Sequence, residues 1–200
     1  MADQKISAMP SATTPLTGTE VIPLVQGGAN VKTTLATFGA FGRSTFFNYG
    51  AFQDTTSQTG SITTPTLMTL NTTDYTSGVT LVSSTRVTAA VAGTYNFQWS
   101  GQFQNLDQFP QDISVWIRIS GTDVPGSAGR IGIAGRKSAG VATHIIAGWN
   151  YFVQLTAGQY IELVWVPTNI LVTIQAYPLL VGPPAIPSTA SIIATMNQVG

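Results

Sequence analysis

From residue 44 onward, apolar and polar positions alternate with a period of two in short runs that are separated by turn residues. The run 93–104 shows this most plainly, because alternate side chains of a strand point to opposite faces. One face is polar and predicted to be exposed. The other face is aromatic and predicted to lie in the core; it consists of Tyr95, Phe97, Trp99 and Phe103.

Similar runs recur at short intervals, whereas helical periodicity is scarce, which predicts an all-β protein with antiparallel sheets. The length is sufficient for one sandwich of ordinary size plus a tail. We therefore expect one sandwich domain over 44–200. The predicted strands are 45–53, 66–70, 79–82, 86–87, 93–104, 113–120, 130–134, 143–155, 160–166, 171–177 and 188–199.

Residues 1–43 differ in composition, being rich in Thr, Ala, Gly and Pro. Three prolines, Pro10, Pro15 and Pro23, exclude long helices, and the segment is predicted to be an extended N-terminal arm. Two apolar patches interrupt it and are expected to contact a partner surface. The predicted anchoring residues are Val21, Ile22, Leu24, Val25, Val31 and Leu35.

Trp116 and Arg118 share the polar face of the strand 113–120, opposite a face of Ile and Val side chains. Because Trp and Arg are enriched at interfaces, we predict that these two residues lie at a subunit boundary. The alternative is that Trp116 belongs to the second face of a strand covered on both sides. The other three tryptophans, Trp99, Trp149 and Trp165, are predicted to pack in the core.

Charged residues make up only 8% of the chain, with eight basic and eight acidic side chains. An average soluble protein has roughly a quarter. The absence of a basic cluster argues against nucleic acid as a partner. Apolar runs are far shorter than the roughly 20 residues that span a bilayer, so no membrane partner is expected. The first residues do not resemble a secretory signal, so synthesis in the cytoplasm is expected. A surface with few charges favours assembly.

Candidate chemistry is sparse. The chain has no cysteine and one histidine, His144, which is expected to be a structural or interface side chain. The carboxylates are scattered, and most are expected in turns: Asp54, Asp74, Asp107, Asp112 and Asp123. The sequence therefore predicts no catalytic residues, no cofactor and no metal site, and a protein that is not an enzyme.

Several segments resemble the C1q/TNF-like jelly rolls of phage virion proteins. They are YGAFQDTTSQT at 49–59, AGTYNFQWS at 92–100, WIRISGTDVP at 116–125, AGQYIELVW at 157–165 and PSTASIIAT at 187–195. The resemblance implies an antiparallel jelly-roll sandwich that forms a homotrimer. The segment KISAMPSATTPLTGTEVIPLVQGG at 5–28, followed by VKTT at 31–34, is similar to the N-terminal segments of phage tail-fibre and other particle proteins.

Together the two resemblances imply a bacteriophage structural protein, assembled in the host cytoplasm and located in the virion. We expect a trimeric capsid decoration or cement protein whose arms bind the major capsid protein. The alternative is a short tail fibre or baseplate receptor-binding protein, with a tail or baseplate protein and a host surface receptor as partners. No fibrous shaft or heptad repeat is present between arm and domain, which favours decoration.

Overall fold

The computed structural model of this chain describes residues 16–39 and 48–200. The chain divides into two compact units, Met1–Phe46 and Phe47–Gly200. Strands account for 58% of the described residues and helix for 3%, and every strand pairing among them is antiparallel. The prediction of an all-β protein with antiparallel sheets is confirmed.

The described part of the first unit is a β-hairpin. Strands β1 (Val21–Gln26) and β2 (Ala29–Thr34) pair through a two-residue turn, and one helical turn follows at 35–39. Gly27 and Gly28 both have positive φ angles, of 58° and 80°, which suit the tight turns that match strand twist. The expected extended segment is thus folded back on itself between 21 and 34; the arm residues 1–15 and 40–43 lie outside the described residues.

The second unit contains two seven-stranded sheets. Sheet I consists of β5 (Thr66–Leu67), β7 (Val79–Val82), β8 (Arg86–Ala89), β10 (Gln111–Ile119), β11 (Thr122–Asp123), β12 (Gly129–Ile133) and β14 (Tyr160–Pro167). Sheet II consists of β3 (Tyr49–Asp54), β4 (Gln58–Thr59), β6 (Thr72–Ser77), β9 (Gly93–Asn105), β13 (Thr143–Leu155), β15 (Val172–Ile174) and β16 (Ile192–Gln198).

The long strands define the order of each sheet. The order of strands in sheet II is β13-β9-β16-β3-β6. Strand β15 pairs with the last residues of β9, on the same side as β16, and it also pairs with β4. Sheet I reads β12-β10-β14-β8-β7. In sheet I, the last two residues of β10 pair with β11, and two residues in the C-terminal half of β14 pair with β5. Neighbours in space are therefore mostly distant in sequence.

One hydrophobic core lies between the two sheets. The predicted aromatic face of β9 is buried, with Tyr95, Phe97, Trp99 and Phe103 at most 5% exposed. Sheet I contributes the apolar side of β10 and Trp165 of β14 to the same cluster. The rings of Phe103 and Trp165 meet edge to face across the sheets, with centroids 6.0 Å apart. The second unit is therefore a β-sandwich.

The prediction that Trp149 packs in the core is wrong. Trp149 lies on β13, and its side chain is 56% exposed. Among the residues that the structure describes, strand β13 pairs only with β9 and forms the edge of sheet II, so this part of the strand has fewer covering residues. Trp99 and Trp165, which lie on central strands, are 5% and 0% exposed, as predicted.

Candidate interaction surfaces

The outer face of sheet II carries one exposed charge, which lies at its edge. Asp74 of the edge strand β6 is exposed and accepts a hydrogen bond from the Gln53 amide at 2.7 Å. The other four main strands, β3, β9, β13 and β16, contain a single Asp, Glu, Lys or Arg, which is Asp54 at 1% exposure. The Asp54 carboxylate faces inward and accepts hydrogen bonds from the Thr69 hydroxyl and the Asn71 amide. The outward positions of β9 instead carry amides and hydroxyls: Thr94, Asn96, Gln98, Ser100, Gln102 and Gln104.

Large apolar side chains stand among these polar groups. One row crosses the sheet from Phe152 through Asn96 and Asn197 to Tyr49, as the strand registers show. Phe152 is 66% exposed and Tyr49 is 45% exposed. Further exposed apolar residues of sheet II are Tyr75, Ile146 and Ile193, at 73%, 70% and 47%. Exposed apolar groups gathered on one face are typical of an interaction surface.

The outer face of sheet I is charged by contrast. Within the described residues, each ion pair involves strands of this sheet: Arg86 with Glu162 at 3.3 Å, Arg118 with Asp123 at 2.6 Å, and Arg130 with Asp112 at 3.9 Å. The Arg86 guanidinium also lies 4.6 Å from the centroid of the Tyr160 ring. Charged groups retain much of their favourable hydration at a wet surface, so this face suits contact with solvent.

Trp116 and Arg118, the predicted interface pair, lie on this charged face of β10, opposite the buried Ile113, Val115 and Ile117. Both residues are half-buried, so the face is partly covered within the single chain. The Arg118 Nε and the Trp116 Nε1 both donate to Oδ1 of Asp123, at 2.6 and 2.7 Å. These bonds, together with the charge of Arg118, lower the pKa of the Asp123 carboxyl.

Asp123 had been expected to be only a turn residue. The reverse turn at Ser120 and Gly121, both with positive φ, brings β11 back beside β10 and pairs Asp123 with Arg118. The spacing of Arg118, Gly121 and Asp123 around a turn was the signal that sequence reasoning did not use. Whether Trp116 and Arg118 also contact another subunit stays a prediction.

The six predicted anchoring residues differ in the exposure of their side chains. Val21 and Val25 are 58% and 68% exposed, while Ile22, Leu24, Val31 and Leu35 are half-buried. Phe38, in the helical turn, is 56% exposed and was not predicted as an anchor. A groove of about 500 Å³ is lined by Leu24, Val25, Gln26, Val31, Lys32, Thr33, Thr37 and Phe38. The described part of the first unit therefore presents apolar surface, and its role in anchoring stays a prediction.

His144 lies at an exposed position of β13, and its ring meets Tyr177 edge to face at 5.8 Å between centroids. In the described ranges, no three His, Asp or Glu side chains gather as metal ligands would. The same ranges contain no helix that is both long and apolar enough to cross a bilayer.

The segment after β15 exposes apolar residues that sequence reasoning missed. Tyr177 bridges to Thr189 and Leu180 bridges to Ile186, so 177–189 forms an irregular hairpin. Val181 near its tip is 86% exposed, and Leu179 is 57% exposed.

No protein-family model matches the chain, and no curated protein matches it in sequence. The fold and the surfaces described above are therefore the structural grounds for a functional proposal.

Proposed function

We propose that this chain is a structural protein of a bacteriophage particle, in which the second unit forms a homotrimer and the first unit attaches it to the virion. The phage assignment is supported by the resemblance of 5–28 and 31–34 to the N-terminal segments of particle proteins. The protein acts by binding and assembly rather than by catalysis.

The strand order supports a jelly roll of the C1q/TNF-like kind. If the eight main strands β3, β8, β9, β10, β12, β13, β14 and β16 are lettered A to H, the sheets read A-H-C-F and B-G-D-E. This alternation of strands between two sheets is the double Greek-key order of jelly rolls. It agrees with the segments that resemble that family, which fall on β3, β9, β10, β14 and β16.

The observation that carries the proposal is the difference in charge between the two sheets. Burying a charge between subunits costs free energy unless it is paired, whereas amides can bond across an interface and apolar groups gain by burial. The outer face of sheet II meets these conditions apart from Asp74 at its edge: Phe152, Ile193 and Tyr49 are exposed, and β9, β13 and β16 contain no Asp, Glu, Lys or Arg. Sheet II is therefore the proposed trimer surface, and sheet I is its solvent side.

This surface differs from the predicted one at Trp116 and Arg118. The indole and the Nε of these two residues already donate to Asp123 within the chain, so another subunit would have to compete for them. The exposed apolar side chains of sheet II, such as Phe152 and Ile193, have no hydrogen bonds to exchange. For this reason sheet II is favoured as the main contact between subunits.

We propose capsid decoration as the role of the trimer, with the major capsid protein as partner. Three first units on one trimer raise the effective concentration of each, so modest single contacts give firm attachment. Exposed Val21, Val25 and Phe38 supply apolar contacts for each unit. Binding to the assembled shell alone stabilises the shell by mass action. The trimer is assembled in the host cytoplasm and resides in the virion.

A short tail fibre or baseplate receptor-binding protein is the second candidate. Strand β9 runs from Gly93 to Asn105, and the Thr94 N–H near its start donates to the Gly200 carbonyl. The loops beyond Asn105 therefore lie at the end remote from both chain termini of the second unit. These loops expose Phe109 and Ile170 at 62% and 65%. A receptor contact at this end would leave the first unit free to bind a tail or baseplate protein.

Deletion of the gene from the phage tests the two roles. A decoration protein leaves infectious particles whose heads lose DNA at lower temperature or on dilution into low salt, and added protein restores the resistance. A receptor-binding protein leaves heads of normal stability that no longer adsorb to the host. Particles that contain no copy of this chain in the wild type would refute both roles.

A further inference from the structure

The hydrogen-bond pattern of the hairpin determines which backbone groups point outward. The Leu35 N–H donates to the Glu20 carbonyl at 2.8 Å, and this pair continues the register in which Val21 faces Thr34. In an antiparallel ladder, hydrogen-bonded pairs alternate with pairs whose N–H and C=O groups point away from the partner strand. The outward-pointing pairs are therefore Val21 with Thr34, Pro23 with Lys32, and Val25 with Asn30.

The two edges of the hairpin are not equivalent. On the β1 edge the middle outward position is Pro23, which has no N–H to donate, and proline in this place hinders the addition of another strand. The β2 edge has no proline and directs N–H and C=O groups outward at Asn30 and Lys32, and the N–H group outward at Thr34. In the described part of the first unit, β2 pairs with β1 alone. The β2 edge is thus the one that accepts a strand.

The surroundings of β2 indicate the chemistry of such a strand. Lys32 is the only charged residue of β1 and β2, and it makes no ion pair with any described residue. The nearby Glu20 carboxylate accepts backbone N–H bonds from Thr17 and Gly18, at 2.8 and 2.7 Å. The groove that borders β2 beside Phe38 suits an apolar side chain. A two-stranded sheet by itself is marginally stable and gains from a third strand.

We propose that the outer edge of β2, at residues 29–34, is a strand-addition site for an extended segment of a virion protein. The segment carries a carboxylate that faces Lys32 and an apolar side chain that enters the groove beside Phe38. This mode of recognition takes its affinity from the main chain and its specificity from alternate side chains. The inference rests on the proposed attachment of the first unit to the particle.

Proline substitution tests the edge directly. The probe is the phage particle that lacks this chain, incubated with full-length protein and then sedimented. Lys32→Pro removes one outward N–H and leaves the bonds between β1 and β2 intact, so the hairpin is retained while binding falls about tenfold or more. Lys32→Thr retains the outward N–H and removes only the charge, so its binding is expected to fall less than that of Lys32→Pro. Pro23→Val, on the opposite edge, is the matched control and binds as the wild type does.

Amide hydrogen exchange on the full chain provides a second measurement that needs no variant. In the free protein, the amides of Asn30, Lys32 and Thr34 exchange rapidly, while those of Val31 and Thr33 are protected by β1. On the particle, the three outward amides become protected. Rapid exchange of the Val31 amide in Lys32→Pro would show that this variant has lost the hairpin. In that case the exchange data on the wild type decide whether the β2 edge pairs with a strand of the particle.

The possible failures can be told apart. If wild-type protein binds the particle and Lys32→Pro binds equally well, edge pairing is refuted while the proposed attachment stands. Protection of the outward amides in the free chain would also refute the site, because the edge would already be occupied. If wild-type protein does not sediment with the particle, the proposed attachment fails and this inference fails with it.

Discussion

The indole Nε1 of Trp116 donates a hydrogen bond of 2.7 Å to Oδ1 of Asp123. The same oxygen accepts a bond of 2.6 Å from Nε of Arg118, so one carboxylate holds both side chains against the outer face of sheet I. The pair that sequence reasoning assigned to a subunit boundary is thus satisfied within one chain. This relationship gives the first prediction.

Asp123→Asn is expected to lower the melting temperature at neutral pH. The hydrogen bonds from Arg118 and Trp116 lower the pKa of Asp123 in the folded state. The contribution of the Asp123 carboxylate to the free energy of unfolding is therefore fully present above the unfolded pKa of about 3.9. That contribution disappears as the pH falls through the lower folded pKa. Melting curves between pH 7 and pH 2 should therefore converge for the two proteins at the acid end. A constant difference across this range would contradict the assignment.

Phe152→Asp is expected to dissociate the trimer. Phe152 is 66% exposed on the outer face of sheet II, and a carboxylate there must be buried without a partner when the proposed subunits associate. Association should weaken about tenfold or more, because a group of this size at an interface contributes on the order of 1–2 kcal/mol. Sedimentation velocity across a concentration series measures the change.

Val82→Asp is the matched control for this experiment. Val82 is 43% exposed on β7 of sheet I, so an exposed apolar side chain is replaced by the same carboxylate on the proposed solvent side. Its sedimentation should equal that of the wild type. If Val82→Asp dissociates the trimer and Phe152→Asp does not, the two sheets have been assigned the wrong way round.

Glu162→Gln is expected to destabilise the second unit by about 1–3 kcal/mol. The Glu162 side chain is 5% exposed and lies 3.3 Å from Nε of Arg86, so the substitution leaves a guanidinium beside a buried neutral group. Asp112→Asn is the control, since its pair with Arg130 is 3.9 Å long and both side chains are well exposed. That change should cost less than about 0.5 kcal/mol. Equal losses in urea unfolding would contradict the difference in burial.

Deletion of residues 1–46 is expected to leave a folded trimer that no longer joins the particle. The second unit has its own core, and its first strand is held by β16 through the pairing of Tyr49 with Asn197. Light scattering should therefore give a mass of three shortened chains. A monomer would instead assign trimer contacts to the first unit.

The alternating pattern predicted the central strands well because their two faces meet different surroundings. Tyr95 and Phe97 are buried and their neighbours Asn96 and Gln98 are not, and a period of two records this difference. The predicted bounds of β7 and β13 equal those in the structure. The same rule failed for Trp149, since alternation gives the face of a strand and not whether another layer covers it.

Edge strands were the main omission. Strand β6 (Thr72–Ser77) is exposed along most of its length, so no apolar face marks it in the sequence, and β4 and β11 are only two residues long. In the segment of β1 and β2, Pro23 indicated an extended arm, whereas Gly27–Gly28 is the turn of a hairpin. Proline is compatible with an edge strand, and both observations belong to a hairpin.

The difference in charge between the two sheets could not be predicted from the sequence either. Arg86, Asp112, Arg118, Arg130 and Glu162 are scattered along the chain and interspersed with the uncharged strands. Only the order of strands gathers them on sheet I and leaves β3, β9, β13 and β16 together on sheet II. Low overall charge predicts assembly, but the face proposed for it could be identified only from the order of the strands.

The most direct test of the account is immunogold electron microscopy of intact phage particles with antibody raised against residues 48–200. The account predicts label scattered over the head, at many sites on each particle. Label confined to the tail or its tip would contradict the decoration role and favour the receptor-binding candidate, and particles without any label would contradict the virion assignment itself.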